Sequence, residues 1–194
     1  MNFFYLEAFA FITGLLSVYL LIKVSLWNWF FGIITVLSFL FIFFNAKLYA
    51  EMGLQVVFLA LQCYGIYQWS SSSPRKNSLS IQLAHRSVYY AYTANGLLLF
   101  TGISYMLNKY TDSTTVYADV WITTLSLIAQ WMMGKKYLQH WLLWIVVDIS
   151  AIILYIYKAL YLTALLYFIY IFLAIIGYKN WKNLLKEAIA SQAR

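Results

Sequence analysis

Cysteine and proline each occur once, as Cys63 and Pro74, and the acidic residues number only six. A single cysteine excludes an internal disulfide and any cysteine-cluster metal site. The two histidines, His85 and His140, lie far apart, so a zinc-hydrolase helix is excluded. No pair of acids stands at catalytic spacing within an apolar stretch, which argues against the competing class, an intramembrane enzyme. Charge is scarce too: charged residues make up 10% of 194, against about 25% in soluble domains. What fills the space is apolar, 64% hydrophobic residues with 18 tyrosines and 8 tryptophans, at a mean hydropathy of +0.75. A chain this short cannot hide that much apolar surface in its own core. The composition therefore reads as an all-α integral membrane protein whose solvent is a lipid bilayer. The net charge of +7 is scattered between apolar blocks and not gathered into a basic face, so no nucleic-acid partner is expected.

A spanning helix needs roughly 20 mostly apolar residues. Such stretches occupy 3–22, 27–45, 49–69, 87–107, 116–134, 140–157 and 160–178, which predicts seven transmembrane helices. The breaks are short except for 70–86, a polar linker that carries Pro74. The first stretch has no basic leader and contains Glu7, so it reads as a mature helix and not a secretory signal. One side of the bilayer would receive Lys23, Arg75, Lys76, Arg86, Lys135, Lys136, Lys179, Lys182, Lys186 and Arg194, the other only Lys47, Lys109 and Lys158. Under the positive-inside rule the N-terminus lies outside and the C-terminus is cytoplasmic. After the last span, Trp181, Leu184, Leu185, Ala188 and Ile189 form one apolar stripe. Residues 182–194 are accordingly expected to be an amphipathic tail along the cytoplasmic interface, with a partner-docking helix as the alternative.

The chain repeats itself. An ungapped shift of 112 residues superposes 29–69 on 141–181: Trp29 meets Trp141, Ser38 meets Ser150, Gly65 meets Gly177 and Trp69 meets Trp181. The same shift pairs Tyr5 with Tyr117 and Glu7 with Asp119. Residues 1–69 thus read as a first three-helix repeat, 70–115 as a cytoplasmic linker plus a central helix, and 116–181 as a second repeat. An extra span between them restores the orientation, so the expected fold is a 3+1+3 arrangement of parallel three-helix bundles. Secondary transporters built this way bind substrate near the midplane, between the repeats.

Polar groups inside hydrocarbon are costly and face a cavity or another helix. Asp119, Thr123, Ser126 and Gln130 fall on one face of the fifth span, and Glu51, Gln55 and Gln62 on one face of the third. Trp141, Trp144 and Asp148 share a face of the sixth; Thr163, Tyr167, Tyr170 and Gly177 share one of the seventh. The bland alternative is that the amides and hydroxyls only bond helix to helix, and that Glu7 and Asp119 are near-interface residues. Trp27, Trp69 and Trp181, at span ends, read as interface anchors, His140 as an interfacial residue and Cys63 as ordinary packing. No metal or cofactor is expected. Aromatic faces attract organic cations, amides orient hydroxyls, and Asp148 would offset a positive charge, so the ligand implied is a small, flat, cationic, hydroxyl-bearing solute. Its candidate contacts are Trp141, Trp144, Asp148, Gln55, Gln62, Gln130, Tyr167, Tyr170, Glu51 and Asp119.

The segments WNWFFGIITVLSFLFIFFNAKLYAEMGLQVVFLALQCYGIYQW, Trp27 to Trp69, and WLLWIVVDISAIILYIYKALYLTALLYFIYIFLAIIGYKNW, Trp141 to Trp181, resemble the two repeats of PnuC-type vitamin transporters. The family's WxxWxxxN/D motif reads here as Trp141, Trp144 and Asp148; Lys47, Tyr49, Glu51 and Gln55 fit its turn between helices. Two departures are Phe30, where members often have proline, and an N-terminal segment of some members that is not expected here. The resemblance implies a SWEET-like fold and uptake of nicotinamide riboside, or of thiamine as in close relatives, with riboflavin a further vitamin to separate. It also implies facilitated diffusion across the bacterial inner membrane, trapping by a cytoplasmic vitamin kinase, and a homotrimer. No proline or paired glycines interrupt a span to hold sodium, which predicts passive, electrogenic uptake.

Overall fold

A computed structural model describes residues 4–45, 49–70, 81–110, 115–157, 159 and 161–192. They form seven helices: α1 (Phe4–Ile22), α2 (Trp27–Asn45), α3 (Tyr49–Ser70), α4 (Arg86–Tyr110), α5 (Val116–Gly134), α6 (His140–Tyr157) and α7 (Tyr161–Gln192). Their ends follow the polar breaks in the sequence closely. The exception is α7, which runs unbroken through the residues read as a separate tail. The turn at Ala46 and Lys47 and most of the polar linker lie outside the described residues.

Length and composition make four of the helical stretches apolar enough to cross a membrane: Tyr5–Ile22, Trp27–Asn45, His140–Tyr157 and Thr163–Ser191. Seven were expected. The shortfall falls on α3, α4 and α5, where interspersed polar and tyrosine side chains lower the mean hydropathy without shortening the helix.

The chain divides into two compact units, 1–80 and 81–194. In the first, α2 packs against both α1 and α3; in the second, α4, α5, α6 and α7 pack each on the next. Within the second unit the segment before α4 is clasped to the α5–α6 turn. Gln82 N donates to the Lys136 carbonyl (3.1 Å) and Leu138 N to the Gln82 carbonyl (2.9 Å). Gln82 Nε2 reaches the Lys135 carbonyl (3.0 Å), and Ala84 N donates to Gln139 Oε1 (3.0 Å).

The turn that ends α1 and the turn that ends α5 are built alike. Val24 N donates to the Leu21 carbonyl (2.9 Å) and Ser25 N to that of Leu20 (3.0 Å). At the 112-residue offset, Lys136 N donates to Met133 (3.0 Å) and Tyr137 N to Met132 (3.1 Å). Both are helix ends of the Schellman kind, closed by one left-handed residue. Glycine normally stands there, but here the residues are Val24 and Lys136, each at φ 54°. A β-branched residue in that region is strained by about 1–2 kcal/mol. Val24→Gly is therefore expected to stabilise the protein by about 0.5–1 kcal/mol, after glycine's greater entropic cost. A thermal melt of purified protein reads this directly; a lowered midpoint would show that packing of the half-buried Val24 outweighs the strain.

Candidate functional site

Seen from α6, the second unit has a dry packing seam at one end and an acidic, aromatic cluster further along. The seam is set by a large residue facing an absent one. Trp141 is 1% exposed, and a Cβ on Gly177 of α7 would stand 2.5 Å from its ring. Trp181, one turn beyond Gly177, meets Trp141 edge to face with centroids 5.8 Å apart. His140 completes the cluster, fully buried, 4.6 Å from Trp141 and 4.9 Å from Trp181. The first unit repeats the arrangement at matched positions. Trp29 is fully buried, its ring occupies the space a Cβ on Gly65 would need, and Trp69 meets it edge to face at 5.5 Å. Trp69 and Trp181 are thus not the interface anchors the sequence suggested, and His140 is not interfacial: all three are buried against aromatic rings. Trp27 is 63% exposed. Cys63, read as packing, is exposed.

Asp148 lies two turns along α6 from Trp141 and is 3% exposed. It is within electrostatic range of Tyr167 and Tyr170 on α7. Tyr167 hydrogen-bonds Tyr155 and stacks on it at 5.3 Å, and meets Tyr170 edge to face at 6.0 Å. Tyr155 was missed by the sequence reading. Its signal was its place seven residues after Asp148, which continues the Trp141–Trp144–Asp148 stripe along the same face. Trp144, half-buried, stands one turn before Asp148 on that face. The structure therefore brings Asp148, Tyr155, Tyr167 and Tyr170 onto facing sides of α6 and α7, one carboxylate among aromatic rings, with Trp144 at the neighbouring turn of α6.

The other candidates are placed as follows. Gln130 on α5 is buried, and its Nε2 has no hydrogen-bond partner among the described residues. In the first unit Gln62 is buried over Gly32 with Oε1 unpartnered among the described residues, and Gln55 is half-buried on the same helix. Glu51 lies on α3, but its side chain is outside the described residues. Asp119 is engaged locally, accepting from Thr115 Oγ1 at 2.7 Å in the first turn of α5. Among the described residues no group of His, Cys, Asp and Glu could hold a metal ion.

Comparison with known proteins gives this geometry a context. Residues 4–183 match the family described as nicotinamide mononucleotide transporter. The chain is 26% identical over 208 residues to the nicotinamide riboside transporter PnuC of Escherichia coli (strain K12), covering 94% of this chain and 87% of the relative. It is 25% identical over 175 residues to the riboflavin/roseoflavin transporter RibM of Streptomyces davaonensis, covering 88% of this chain and 81% of the relative. The fold is similar to the crystal structure of the vitamin B3 transporter PnuC, with TM-score 0.76 and 25% identity over 94% of this chain and 83% of that one.

Proposed function

The chain belongs to the nicotinamide mononucleotide transporter family, multi-pass membrane transporters and not enzymes, and from that premise we propose that it takes up nicotinamide riboside by facilitated diffusion. The observation that carries this reading is Asp148, a buried carboxylate facing the tyrosines of α7. A buried carboxylate surrounded by aromatic rings suits a flat cation: the rings attract its charge through their faces, and the acid compensates that charge where water is excluded. Hydroxyls of Tyr155, Tyr167 and Tyr170 supply partners for a ribose. A mononucleotide would also need a partner for its phosphate. From His140 to Tyr178 the sequence holds one lysine, Lys158, in the segment that joins α6 to α7, so the cluster favours the riboside.

The transport topology we infer is seven spans in 3+1+3 order, with α4 as the connecting span, a SWEET-like plan. The matched Schellman turns and the matched Trp–Gly–Trp seams support a repeat. The distribution of lysine and arginine supports an outside N-terminus and a cytoplasmic C-terminus. Passive movement of the cation, trapping by a cytoplasmic kinase and a homotrimeric assembly complete the reading on the strength of the family resemblance.

RibM, named for riboflavin and roseoflavin, makes a second vitamin a concrete competitor. Riboflavin is flat and hydroxyl-bearing but carries no fixed positive charge, so it would leave Asp148 uncompensated. Calorimetric titration of purified protein with nicotinamide riboside, thiamine and riboflavin side by side decides the matter. Nicotinamide riboside is expected to bind most tightly; thiamine, also a flat cation, would take its place if the tyrosines seat a different ring. Tighter binding of riboflavin would remove the charge argument altogether. In the same assay Trp144→Ala is expected to lose about 1–2 kcal/mol of affinity for the cation, a five- to thirty-fold weakening, with an unchanged melting midpoint. Unaltered binding by that variant takes the tryptophan out of the site.

A further inference from the structure

The second unit holds a cleft of about 400 Å³ between α4, α5 and α6 that has nothing to do with the acidic cluster. Its walls include Tyr92, Gly96 and Phe100 of α4, Trp121 and Met132 of α5, and Gln139 just ahead of α6. Apart from two threonines and Gln139, the lining is aliphatic and aromatic, and it holds no carboxylate to compensate a charged vitamin. Along α5 the cleft extends from Trp121 to Met132, which rises about 16 Å at the helical 1.5 Å per residue. That is close to the hydrocarbon depth of one leaflet, about half of 30 Å. The two ends differ in charge. At the Met132 and Gln139 end the chain carries Lys135 and Lys136 in the α5–α6 turn and Arg86 at the start of α4, with no acid in either segment. Burial lowers the pKa of Lys136 from its ordinary value.

We propose that this cleft is a binding site for one anionic phospholipid, with an acyl chain lying between α4 and α5 and the phosphate at Lys135, Lys136 and Arg86. Basic pockets between membrane helices are where acidic headgroups are held, each lysine or arginine contributing about 1 kcal/mol. The clasp between Gln82 and the α5–α6 turn fixes the lysine-bearing turn beside α4, so the charged end of the cleft is held in place before a lipid arrives. It uses the carbonyls of Lys135 and Lys136, which side-chain substitution leaves intact.

Native mass spectrometry of the purified full-length protein, with phosphatidylglycerol or phosphatidylcholine of matched acyl chains, tests this. One phosphatidylglycerol per chain is expected to be retained, and the double substitution Lys135→Gln, Lys136→Gln to weaken it roughly thirty-fold while leaving phosphatidylcholine unchanged. Thr93→Trp, at an exposed position on the cleft wall, is expected to weaken both lipids. Equal retention of the two lipids in the unsubstituted protein overturns the proposal, as does retention indifferent to Thr93→Trp. Displacement by inorganic phosphate alone, independent of the acyl chains, would reduce the site to an anion site and overturn it as well. Disulfide-linked pairs of chains formed through Thr93→Cys would give the cleft to a second copy of the protein instead.

Discussion

Gly177→Ala is expected to destabilise the protein by roughly 3 kcal/mol, or to prevent its accumulation as folded protein, although it adds a single methyl group. The new Cβ would stand 2.5 Å from Cη2 and Cζ2 of Trp141. The ring has nowhere to go: it is 1% exposed, edge to face with Trp181, and flanked by His140. Forcing extra volume into such a seam typically costs 1–3 kcal/mol, and more where the neighbour cannot change rotamer. Trp141→Leu alone should also destabilise, through the cavity it leaves. Together the two changes should cost much less than their sum, because each relieves the other, and that sign of coupling identifies residues in direct contact. The melting midpoint of the two single variants and the double variant is the measurement. An unchanged midpoint for Gly177→Ala would show that the ring has a second place to sit. The matched experiment with Gly65→Ala and Trp29→Leu is expected to give the same pattern in the first unit.

This seam shows what was legible in the sequence and what was not. The 112-residue offset picked out Trp29 with Trp141, Gly65 with Gly177 and Trp69 with Trp181 as identities, yet it could not say why they are identical. In a membrane protein the lipid is as apolar as the core, so hydropathy places a helix in the bilayer without saying which face packs. Only the largest and smallest residues carry that information, and only when their partner across the seam is known. Trp69 and Trp181 sit at span ends, where composition alone suggests anchors; the structure buries them because a tryptophan one helix away needs an edge to meet. The Schellman turns were hidden for a different reason. Their signature is glycine, and Val24 and Lys136 occupy the left-handed position without it. Polar residues were easier to read, since a lone carboxylate in an apolar helix must have a purpose. Asp148 was singled out that way, and the structure buries it. Tyr155 was not, because a tyrosine at the edge of a span has several ordinary reasons to be there, and only its stacking on Tyr167 ties it to the acid.

Asp148→Asn is expected to weaken binding of nicotinamide riboside thirty-fold or more, while leaving the folding stability within about 1 kcal/mol of the unsubstituted protein. The two carboxamide and carboxylate side chains have nearly the same volume, so the packing of α6 on α7 is preserved. What changes is the charge facing the ligand. Asp148 is 3% exposed, and a cation brought to such a place without a counter-charge leaves its hydration behind with nothing in return. Removing one partner of a buried charge pair costs about 2–5 kcal/mol, which converts to roughly thirty- to several-thousand-fold in affinity. Binding of riboflavin, which has no fixed charge to lose, should change far less in the same variant. Comparing the two ligands therefore separates loss of charge compensation from general damage to the site. A variant that binds both vitamins equally poorly would mark Asp148 as a structural residue of the α6–α7 seam. One that binds nicotinamide riboside as before would move the cation site away from α6. Either result would leave family membership standing while removing the residue on which the cation reading rests.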